Sequence, residues 1–184
     1  MRILYLSTGE TIVLDIIAWL IFHLSIGYVT SQIPIDRFDP SRKWYQTRPW
    51  EKDGQIYQKI FRVKDWKRYI PSGAALYKNA YEIRRITTFT VQNVSTWLKE
   101  SCRSEFCHFA MIIPGIFFFL WNSVTGGWIM MAYAIVNNLV PIVMQRYNRP
   151  RVRKLLDSLE RKSKQTEDAF QNYASGNLLS HSYE

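Results

Sequence analysis

Charged side chains are absent from two long stretches of this sequence. No Asp, Glu, Lys or Arg occurs from Phe106 to Gln145, which is 40 residues, or from Ile16 to Ile35, which is 20 residues. A helix needs about 20 mostly apolar residues to cross the hydrocarbon layer of a bilayer. The absence of charge therefore excludes ordinary solvent-exposed helices here, and it predicts one membrane span near the N-terminus and two in the later block. The mean hydropathy of −0.18 hides this pattern because it averages apolar and charged stretches.

Cysteine and nucleotide-binding signals are also scarce. The chain has two cysteines, Cys102 and Cys107, and their i, i+5 spacing is poor for a disulfide within one helix. No glycine-rich strand–turn–helix that would cradle a nucleotide is present, and no internal repeat divides the chain. With 184 residues the chain has room for one domain. We therefore predict a single membrane domain over residues 1–184.

The basic residues are unevenly placed along the chain, whose formal net charge is +9. Of the 24 Lys and Arg residues, one precedes the first span, fifteen lie between Ser31 and Glu105, and eight follow Gln145. Lys and Arg collect on the cytoplasmic side of membrane proteins. The central segment and the C-terminus are therefore predicted to be cytoplasmic, with the N-terminus outside. The sequence predicts a multi-pass, all-α integral membrane protein with about three transmembrane helices, one N-terminal and then a helical hairpin.

The predicted parts follow from this pattern. They are spans at about 11–30, 106–121 and 128–144, an interfacial α-rich segment over 31–105, and a basic tail over 145–184. Asn, Ser, Thr and two Gly at 122–127 predict the tight turn of the hairpin. The tail is predicted to carry a charged amphipathic helix over 152–169, and the polar composition of its last fifteen residues predicts disorder.

The first apolar stretch has two interpretations, a cleaved signal peptide or a membrane anchor. Only Arg2 supplies positive charge before it, Glu10 and Asp15 precede or interrupt it, and no small-residue cleavage site follows. These features favour the anchor. Asp15 and His23 would then lie in or near the membrane, where ionisable groups are costly and often functional. The sequence leaves the roles of both residues open.

The central segment combines basic and aromatic side chains, most densely over 59–70. This pattern is typical of a segment that lies on the cytoplasmic leaflet. It is also found in proteins that bind single-stranded nucleic acid. A place between two membrane spans argues against that partner, so no nucleic acid is predicted. After a turn at 71–73, residues 74–99 are predicted to be largely helical, with a weak point at 87–90.

Glu105 and His108 are the candidate catalytic residues. They are i, i+3 neighbours, so a helix presents both on one face. A histidine beside a carboxylate is the smallest general-base unit, because the carboxylate fixes the imidazole tautomer and supports its charged form. The alternative is an interfacial helix cap. A Glu-x-x-His also occurs in two-metal bundles, but those need a second copy and further carboxylates that this sequence lacks, so neither a metal nor a cofactor is predicted.

A polar run at 145–151 follows the last predicted span. Its guanidinium groups could hold a phosphate, an acyl-donor anion or lipid headgroups. Ordinary positive-inside anchoring explains the arginines, but it does not explain Gln145, Asn148 or Pro150. Asn138, two turns upstream, carries an amide that needs a partner or holds one in the membrane. The candidate binding residues are Arg103, Asn138, Gln145, Arg146, Asn148, Arg149 and Arg151.

Taken in chain order, these residues resemble the glycosyl-4,4'-diaponeurosporenoate acyltransferase family, the enzymes that finish staphyloxanthin-type pigments. The resemblance covers about residues 12–157, and the run 145–151 is its most specific element. The chain departs from the family at Ser104, where the family has Ala, and at Phe109, where it has Trp. Those departures leave the substrate open. The matching positions before the run are Ile33, Pro34, Phe38, Trp50, Glu51, Lys52, Gly54, Val63, Trp66, Lys67, Arg103, Glu105, His108, Pro114 and Asn138. Those at 33–67, taken alone, indicate only an ordered interfacial loop.

The resemblance implies transfer of a fatty acyl chain to a sugar hydroxyl of a glycosylated carotenoid acid or related glycolipid. His108 would deprotonate the hydroxyl, Glu105 would orient His108, and the arginines of the run would bind the donor or stabilise the oxyanion. The implied partners are the glycosylated acceptor, a fatty acyl donor of unknown identity and membrane lipids, and the implied location is a bacterial cell membrane. Assembly into an oligomer is left open.

Two other functions remain open at this point. A membrane-bound lipid methyltransferase would need an adenosine pocket, and compact membrane methyltransferases do not require the glycine-rich motif. A non-catalytic membrane adaptor would bind anionic lipid through the basic tail. If the protein is an adaptor, lipid binding should depend on the tail arginines and not on Glu105 or His108. If it is an acyltransferase, its activity should be more sensitive to loss of Glu105 or His108 than to loss of the tail arginines.

Overall fold

The structure, a computed structural model, describes residues 2–70, 86 and 88–180, with side chains to residue 172. Within these residues the secondary structure is entirely helical, which confirms the predicted all-α class. The α helices are α1 (Thr8–Gln32), α2 (Gln55–Phe61), α3 (Val63–Trp66), α4 (Val91–Ile112) and α5 (Val124–Ser180). Short 3-10 helices occur at Ile35–Arg37, Pro49–Glu51, Lys67–Tyr69 and Ile113–Leu120.

Three helical stretches in the described part of the chain are long and apolar enough to cross a membrane. They are Thr8–Gln32, Val91–Leu120 and Val124–Asn172. Only 17% of the apolar window of α1 is buried against the rest of the protein. Most of the Ile, Leu and Val side chains of α1 are exposed and suit a lipid environment, in which apolar surface carries no penalty. The chain is thus an integral membrane protein with an N-terminal span and a helical hairpin.

The N-terminal end of α1 packs against the turn of the hairpin. Ser7 begins the helix with a capping box, in which its backbone N–H donates to Glu10 Oε2 at 2.9 Å. The Trp19 ring stacks on Phe118 with 4.5 Å between ring centroids. The backbone N–H of Ile3 donates to the carbonyl of Leu120 at 2.6 Å. The N-terminus and the hairpin turn therefore lie at the same end of the bundle.

The hairpin turn is shorter than predicted. The sequence predicted a turn over 122–127, whereas α5 already begins at Val124. The glycines at 126 and 127 lie in the first turn of this helix instead. A Cβ at Gly127 would lie 2.4 Å from the Phe119 ring, which is closer than Cβ atoms approach other side chains in proteins. Gly127 thus allows the two arms of the hairpin to approach closely.

The first arm of the hairpin is longer than predicted. Helix α4 begins at Val91, where the Thr90 side chain accepts a hydrogen bond from the Asn93 N–H at 3.2 Å. The weak point predicted at 87–90 ends at Thr90, the residue that caps α4. Residues 71–85 and 87, which include the predicted turn at 71–73 and part of the helix predicted over 74–99, lie outside the described part. Pro114 has no N–H for an α-helical bond, and the arm continues as a 3-10 helix, which rises about 2.0 Å per residue instead of 1.5 Å.

The second arm and the tail form one helix. The sequence predicted a separate helix over 152–169 and disorder after it, but α5 continues across Pro141 and Pro150 to Ser180. Residues 181–184 lie outside the described part. Adding a residue to an existing helix gains one hydrogen bond for one ordered residue, so continuation is easier than a new start. The composition of the tail did not reveal this continuity.

The opposite end of the bundle holds the central segment. Tyr57 and Val63 of the segment pack with Val143 and Tyr147 of α5. Helices α4 and α5 pack extensively against each other in the described part of the chain. The central segment and the polar run 145–151 therefore meet at one end of the bundle, away from the hairpin turn.

Candidate active site

Glu105 lies at the centre of the polar end of the bundle and is fully buried. Its Oε1 accepts a hydrogen bond from Arg146 Nε at 2.8 Å. Arg149 Nη2 lies 2.6 Å from the other oxygen, Oε2, in an ion pair without an aligned hydrogen bond. Helix α5 supplies both arginines, one turn apart, so a single carboxylate of α4 holds two guanidinium groups of α5.

Arg146 also reaches the central segment. Its Nη1 donates to Glu51 Oε1 at 2.9 Å, and its Nη2 donates to the carbonyl of Trp44 at 2.7 Å. Glu51 is buried and accepts two further hydrogen bonds, from the Tyr57 hydroxyl at 2.7 Å and from the backbone N–H of Arg48 at 2.9 Å. The guanidinium of Arg146 thus joins the central segment to α4 through two carboxylates.

Arg149 is buried and bound on its remaining sides. Its Nε donates to Ser101 Oγ at 3.2 Å, its Nη2 to the Ser101 carbonyl at 3.0 Å, and its Nη1 to the Tyr45 carbonyl at 3.2 Å. We call Glu51, Glu105, Arg146 and Arg149 the charge cluster. Two carboxylates and two guanidinium groups have a formal sum of zero, which is what allows charges to be buried together.

The ionisation of Glu51 fits this arrangement. Burial disfavours its charged form, but hydrogen bonds from Tyr57, the Arg48 backbone and Arg146 outweigh burial and hold the pKa of Glu51 below its usual value of 4.5. Burial, together with the hydrogen bond to Glu51, raises the pKa of Tyr57. At neutral pH Glu51 is therefore ionised and Tyr57 keeps the proton that it donates.

Two backbone features allow the central segment to reach α5. Gly54 has a φ of +79°, and a Cβ there would lie 3.0 Å from the carbonyl oxygen of Tyr147 and 3.1 Å from that of Arg146. Pro150 has no N–H, so the Arg146 carbonyl has no partner four residues later in the helix. The glycine therefore packs against a carbonyl that the proline leaves free. Positive-inside anchoring did not explain Pro150, and this contact does.

His108 pairs with Asn138, not with Glu105. His108 Nδ1 lies 2.9 Å from Asn138 Oδ1, and Asn138 Nδ2 donates to the Ala134 carbonyl at 2.9 Å. Because the amide nitrogen is directed at a carbonyl, the amide oxygen faces the imidazole and accepts from it. His108 Nδ1 then carries the ring proton, and Nε2 carries the lone pair.

The predicted Glu105–His108 pair is therefore corrected by the structure. Both residues are described, and no hydrogen bond or ion pair joins them. The i, i+3 spacing allowed contact but did not require it. Glu105 instead faces the two arginines of α5, which attract a buried carboxylate more strongly than a neutral imidazole does.

Arg103, a candidate binding residue, makes internal contacts. It forms an ion pair with Glu100 one turn earlier in α4. Its Nη1 also lies 3.4 Å from the carbonyl oxygens of Ser31 and Ile33, just at and after the end of α1. These contacts tie the end of α1 to α4. A role for Arg103 in substrate binding stays a prediction.

The remaining candidates lie on two faces of α5. Gln145 is buried, and its Oε1 has no hydrogen-bond partner. Asn148 Oδ1 accepts from Lys67 Nζ at 3.2 Å. The Arg151 guanidinium carbon lies 3.8 Å from the centroid of the Tyr147 ring. The structure thus brings Arg146, Arg149 and Glu105 together, while Asn138 joins His108 and the last two candidates contact other partners.

Sequence reasoning missed several residues of this region. It gave Glu51 and Lys67 a structural role within the interfacial loop. The position of Glu51 inside an aromatic, glycine-containing motif was nevertheless a visible signal that this carboxylate has a specific partner. Tyr45 contributes a carbonyl oxygen, which any residue could supply. Ser101 contributes a carbonyl oxygen and one hydroxyl, and a single serine in a helix gives no sequence signal of this role. Within the described residues, no three His, Cys, Asp or Glu side chains converge as metal ligands do.

Asp15 and His23 lie on α1, away from the charge cluster. Asp15 is buried, and its Oδ1 accepts from Trp121 Nε1 at 2.7 Å and from Asn122 Nδ2 at 2.8 Å. Asp15 thereby fastens α1 to the hairpin turn. His23 Nδ1 lies 2.8 Å from the carbonyl oxygen of Trp19, within its own helix.

The fold and this site define a helical integral membrane protein with a histidine–asparagine pair and a buried charge cluster at one end of its bundle. A family model described as glycosyl-4,4'-diaponeurosporenoate acyltransferase matches residues 41–158. Proteins of that name from Staphylococcus aureus strains MRSA252 and Newman are each 33% identical to the chain over 144 residues, which is 78% of this chain and 87% of the relative. No solved structure gives a significant match.

The chain therefore belongs to the glycosyl-4,4'-diaponeurosporenoate acyltransferase family, and it is an acyltransferase. The matched residues include the charge cluster, His108 and Asn138. The membership removes the lipid methyltransferase and the non-catalytic adaptor as interpretations of the sequence.

Proposed function

We propose that this protein esterifies a sugar hydroxyl of a glycosylated carotenoid acid with a fatty acyl chain. The relatives' name gives glycosyl-4,4'-diaponeurosporenoate as the compound on which those proteins act. Three apolar helices suit an acceptor with a long apolar body and a polar sugar end. The same chemistry would extend to a related glycolipid acceptor.

The observation that carries the proposal is the orientation of His108. Asn138 accepts the Nδ1 proton, so Nε2 is left as a proton acceptor. In the proposed reaction, the sugar hydroxyl gives its proton to Nε2 while its oxygen attacks the acyl carbonyl carbon. The bond from that carbon to the donor's leaving atom then breaks. The leaving atom takes the proton back from the imidazolium, and His108 returns to its starting form.

The charge cluster has a positioning role in this proposal. The sequence analysis gave the arginines of the run the role of binding the donor or stabilising the oxyanion. The guanidinium groups of Arg146 and Arg149, however, are occupied by Glu51, Glu105 and backbone carbonyls. Breaking such a buried pair is strongly unfavourable. We therefore assign the cluster to holding the central segment against the hairpin.

We also propose a topology and a domain organisation. The central segment and the run 145–151 lie at one end of the bundle, and the N-terminus lies at the other. Since most Lys and Arg belong to the first end, that end would face the cytoplasm. The whole chain would then act as one membrane domain with its site reached from the cytoplasmic side.

The test is lipid mass spectrometry on cells that make a glycosylated carotenoid acid. We expect a product heavier by one esterified acyl group when the wild-type protein is present and none when it is absent. His108→Ala should lower product formation by about 100-fold or more, because a positioned base supplies roughly 10²–10⁴-fold. Ser104→Ala, one turn away on α4, is the matched control and should keep activity.

Two results would contradict the proposal. Full activity of correctly inserted His108→Ala protein would exclude His108 as the base. Absence of any acylated product with the wild-type protein, in cells shown to contain acceptor and fatty acyl donors, would exclude this acceptor.

A further inference from the structure

Two cations lie beside the ring of Tyr147, at the end of the bundle that holds the charge cluster. Lys67 Nζ lies 5.3 Å from the ring centroid, and the Arg151 guanidinium carbon lies 3.8 Å from it. Lys67 also donates to Asn148 Oδ1 at 3.2 Å, and Arg151 donates to the carbonyl of Tyr147. The buried ring and the amide therefore hold both cations in place at the edge of the protein.

These cations lack the counter-ions that the neighbouring arginines have. Arg146 and Arg149 are neutralised by buried carboxylates, whereas neither Lys67 nor Arg151 forms an ion pair with any acidic residue in the described part of the chain. Among the described residues, the charged groups that lower the pKa of Lys67 are two cations, Arg151 and Lys64. Burial and these two like charges lower the pKa of Lys67.

Like charges repel each other, and an anion bound between these cations would remove that repulsion. Asn148 adds an amide whose oxygen accepts from Lys67 and whose nitrogen is a further hydrogen-bond donor for an oxygen of the ligand. Arg151 is exposed, so a ligand can reach its guanidinium from outside. Guanidinium and ammonium groups together are a common means of holding phosphate in proteins.

We infer that Lys67, Arg151 and Asn148 form a binding site for the phosphate of the acyl donor. This inference rests on the proposed function, since it names the class of donor for the same reaction. It also gives the arginines of the run different roles. Arg146 and Arg149 of the charge cluster support the fold, whereas Arg151 binds the ligand.

The distance to His108 indicates which donor carries that phosphate. The cations meet beside Tyr147 and Asn148. Asn138, the partner of His108, and Asn148 are ten residues apart in α5, which corresponds to about 15 Å along the helix axis at 1.5 Å per residue. In a phospholipid, the phosphate and the ester carbonyl are separated by only a few bonds. In a phosphopantetheine thioester, a long flexible arm separates the phosphate from the acyl carbon. The spacing therefore favours a thioester of coenzyme A or of a carrier protein over a phospholipid.

The test measures binding separately from acyl transfer. Coenzyme A itself is titrated by calorimetry into the protein in nanodiscs of zwitterionic lipid, and the titration is repeated with anionic lipid added. We expect one site, with a Kd that rises about tenfold or more in Lys67→Gln and in Arg151→Gln. Arg161→Gln, which removes the same charge from an exposed position on α5, should leave the Kd unchanged. Melting temperatures of the variants show that each is folded.

The outcomes distinguish this inference from the proposed function. His108→Ala should keep its affinity for coenzyme A even though it loses acyl transfer. Equal Kd values in the wild type, Lys67→Gln and Arg151→Gln would overturn the site. A third outcome is that anionic lipid displaces coenzyme A and that Lys67 and Arg151 are needed to bind the lipid but not to bind coenzyme A. That result would show that the site binds a lipid headgroup, and it would overturn the thioester donor.

Discussion

A neutral amide, not a carboxylate, fixes the orientation of His108. A carboxylate beside an imidazole favours its charged form, whereas an amide oxygen holds the proton on Nδ1 without adding charge. That difference matters in a membrane span, where an additional buried charge is costly. Asn138 is itself oriented by the Ala134 carbonyl, so the direction of the imidazole follows from two hydrogen bonds.

This arrangement leads to a prediction about two neighbouring asparagines. Asn138→Ala should lower the acyl-transfer rate by about tenfold or more, which is part of the roughly 10²–10⁴-fold that a positioned base supplies. Asn137→Ala removes the same amide from an exposed position next to it and should leave the rate unchanged. The measurement is the rate of product formation in purified membranes, normalised to protein content. Equal rates for the two variants would show that Asn138 does not position His108.

At the scale of elements, the loop before α2 has an unusual backbone. Lys52, Asp53 and Gly54 all have positive φ, at 47°, 54° and 79°. Left-handed conformations are unfavourable for residues with a Cβ, and they persist where the surrounding structure requires them. Here the requirement is the contact between Gly54 and the carbonyls of Tyr147 and Arg146 in α5. Pro150 leaves the second of these without its helical N–H partner.

Gly54→Ala should therefore destabilise the protein. The added Cβ carries a conformational penalty of about 1–2 kcal/mol, and it also meets the carbonyl of Tyr147 at 3.0 Å. Gly9→Ala is the matched control, because a Cβ there meets nothing within 4 Å and the residue lies in the first turn of α1. Thermal unfolding in detergent measures both. A melting temperature for Gly54→Ala as high as that of Gly9→Ala would contradict this account of the loop.

At the scale of the whole molecule, the charge cluster joins three separate parts of the chain. Glu51 belongs to the central segment, Glu105 to α4, and Arg146 and Arg149 to α5. No pair within it is close in sequence except the two arginines. The cluster therefore joins the parts of the chain that meet at the polar end of the bundle. At the opposite end, Asp15 joins α1 to the hairpin turn.

The stability of this end should depend on pH. The pKa of Glu51 is lower in the folded protein than its usual 4.5, so its contribution is complete above 4.5 and is lost as the pH falls through the folded-state value. Glu51→Gln should destabilise the protein by about 3 kcal/mol at neutral pH, since it removes one partner of a buried pair. The difference in melting temperature between this variant and the wild type should become smaller as the pH falls below the folded-state pKa of Glu51.

An exposed carboxylate provides the comparison for this prediction. Asp65 pairs with Arg62 at the surface, where both side chains are more than half exposed. Exposed pairs contribute about 0–1 kcal/mol, so Asp65→Asn should show little change at any of these pH values. A difference between wild type and Glu51→Gln that stays constant on acidification would show that the charge of Glu51 does not stabilise the fold.

Much of the fold could be predicted from composition. Two long uncharged stretches determine the three spans, since charge in the hydrocarbon layer is too costly to be tolerated there. The boundaries were less accurate. Helix α4 begins at Val91 and α5 continues to Ser180, because caps and continued hydrogen bonding, rather than hydropathy, set where helices begin and end.

By itself, the sequence determined the class of the protein, its family resemblance and the two helices that carry the site. Only the tertiary structure decided which side chains meet. Glu105 and His108 share a helix face, yet Glu105 pairs with arginines 41 and 44 positions away and His108 with an asparagine 30 positions away. Hydropathy is a property of the residue and is readable along the chain. A pair of side chains depends on how two helices are rotated against each other, and that rotation is set by packing across the whole interface.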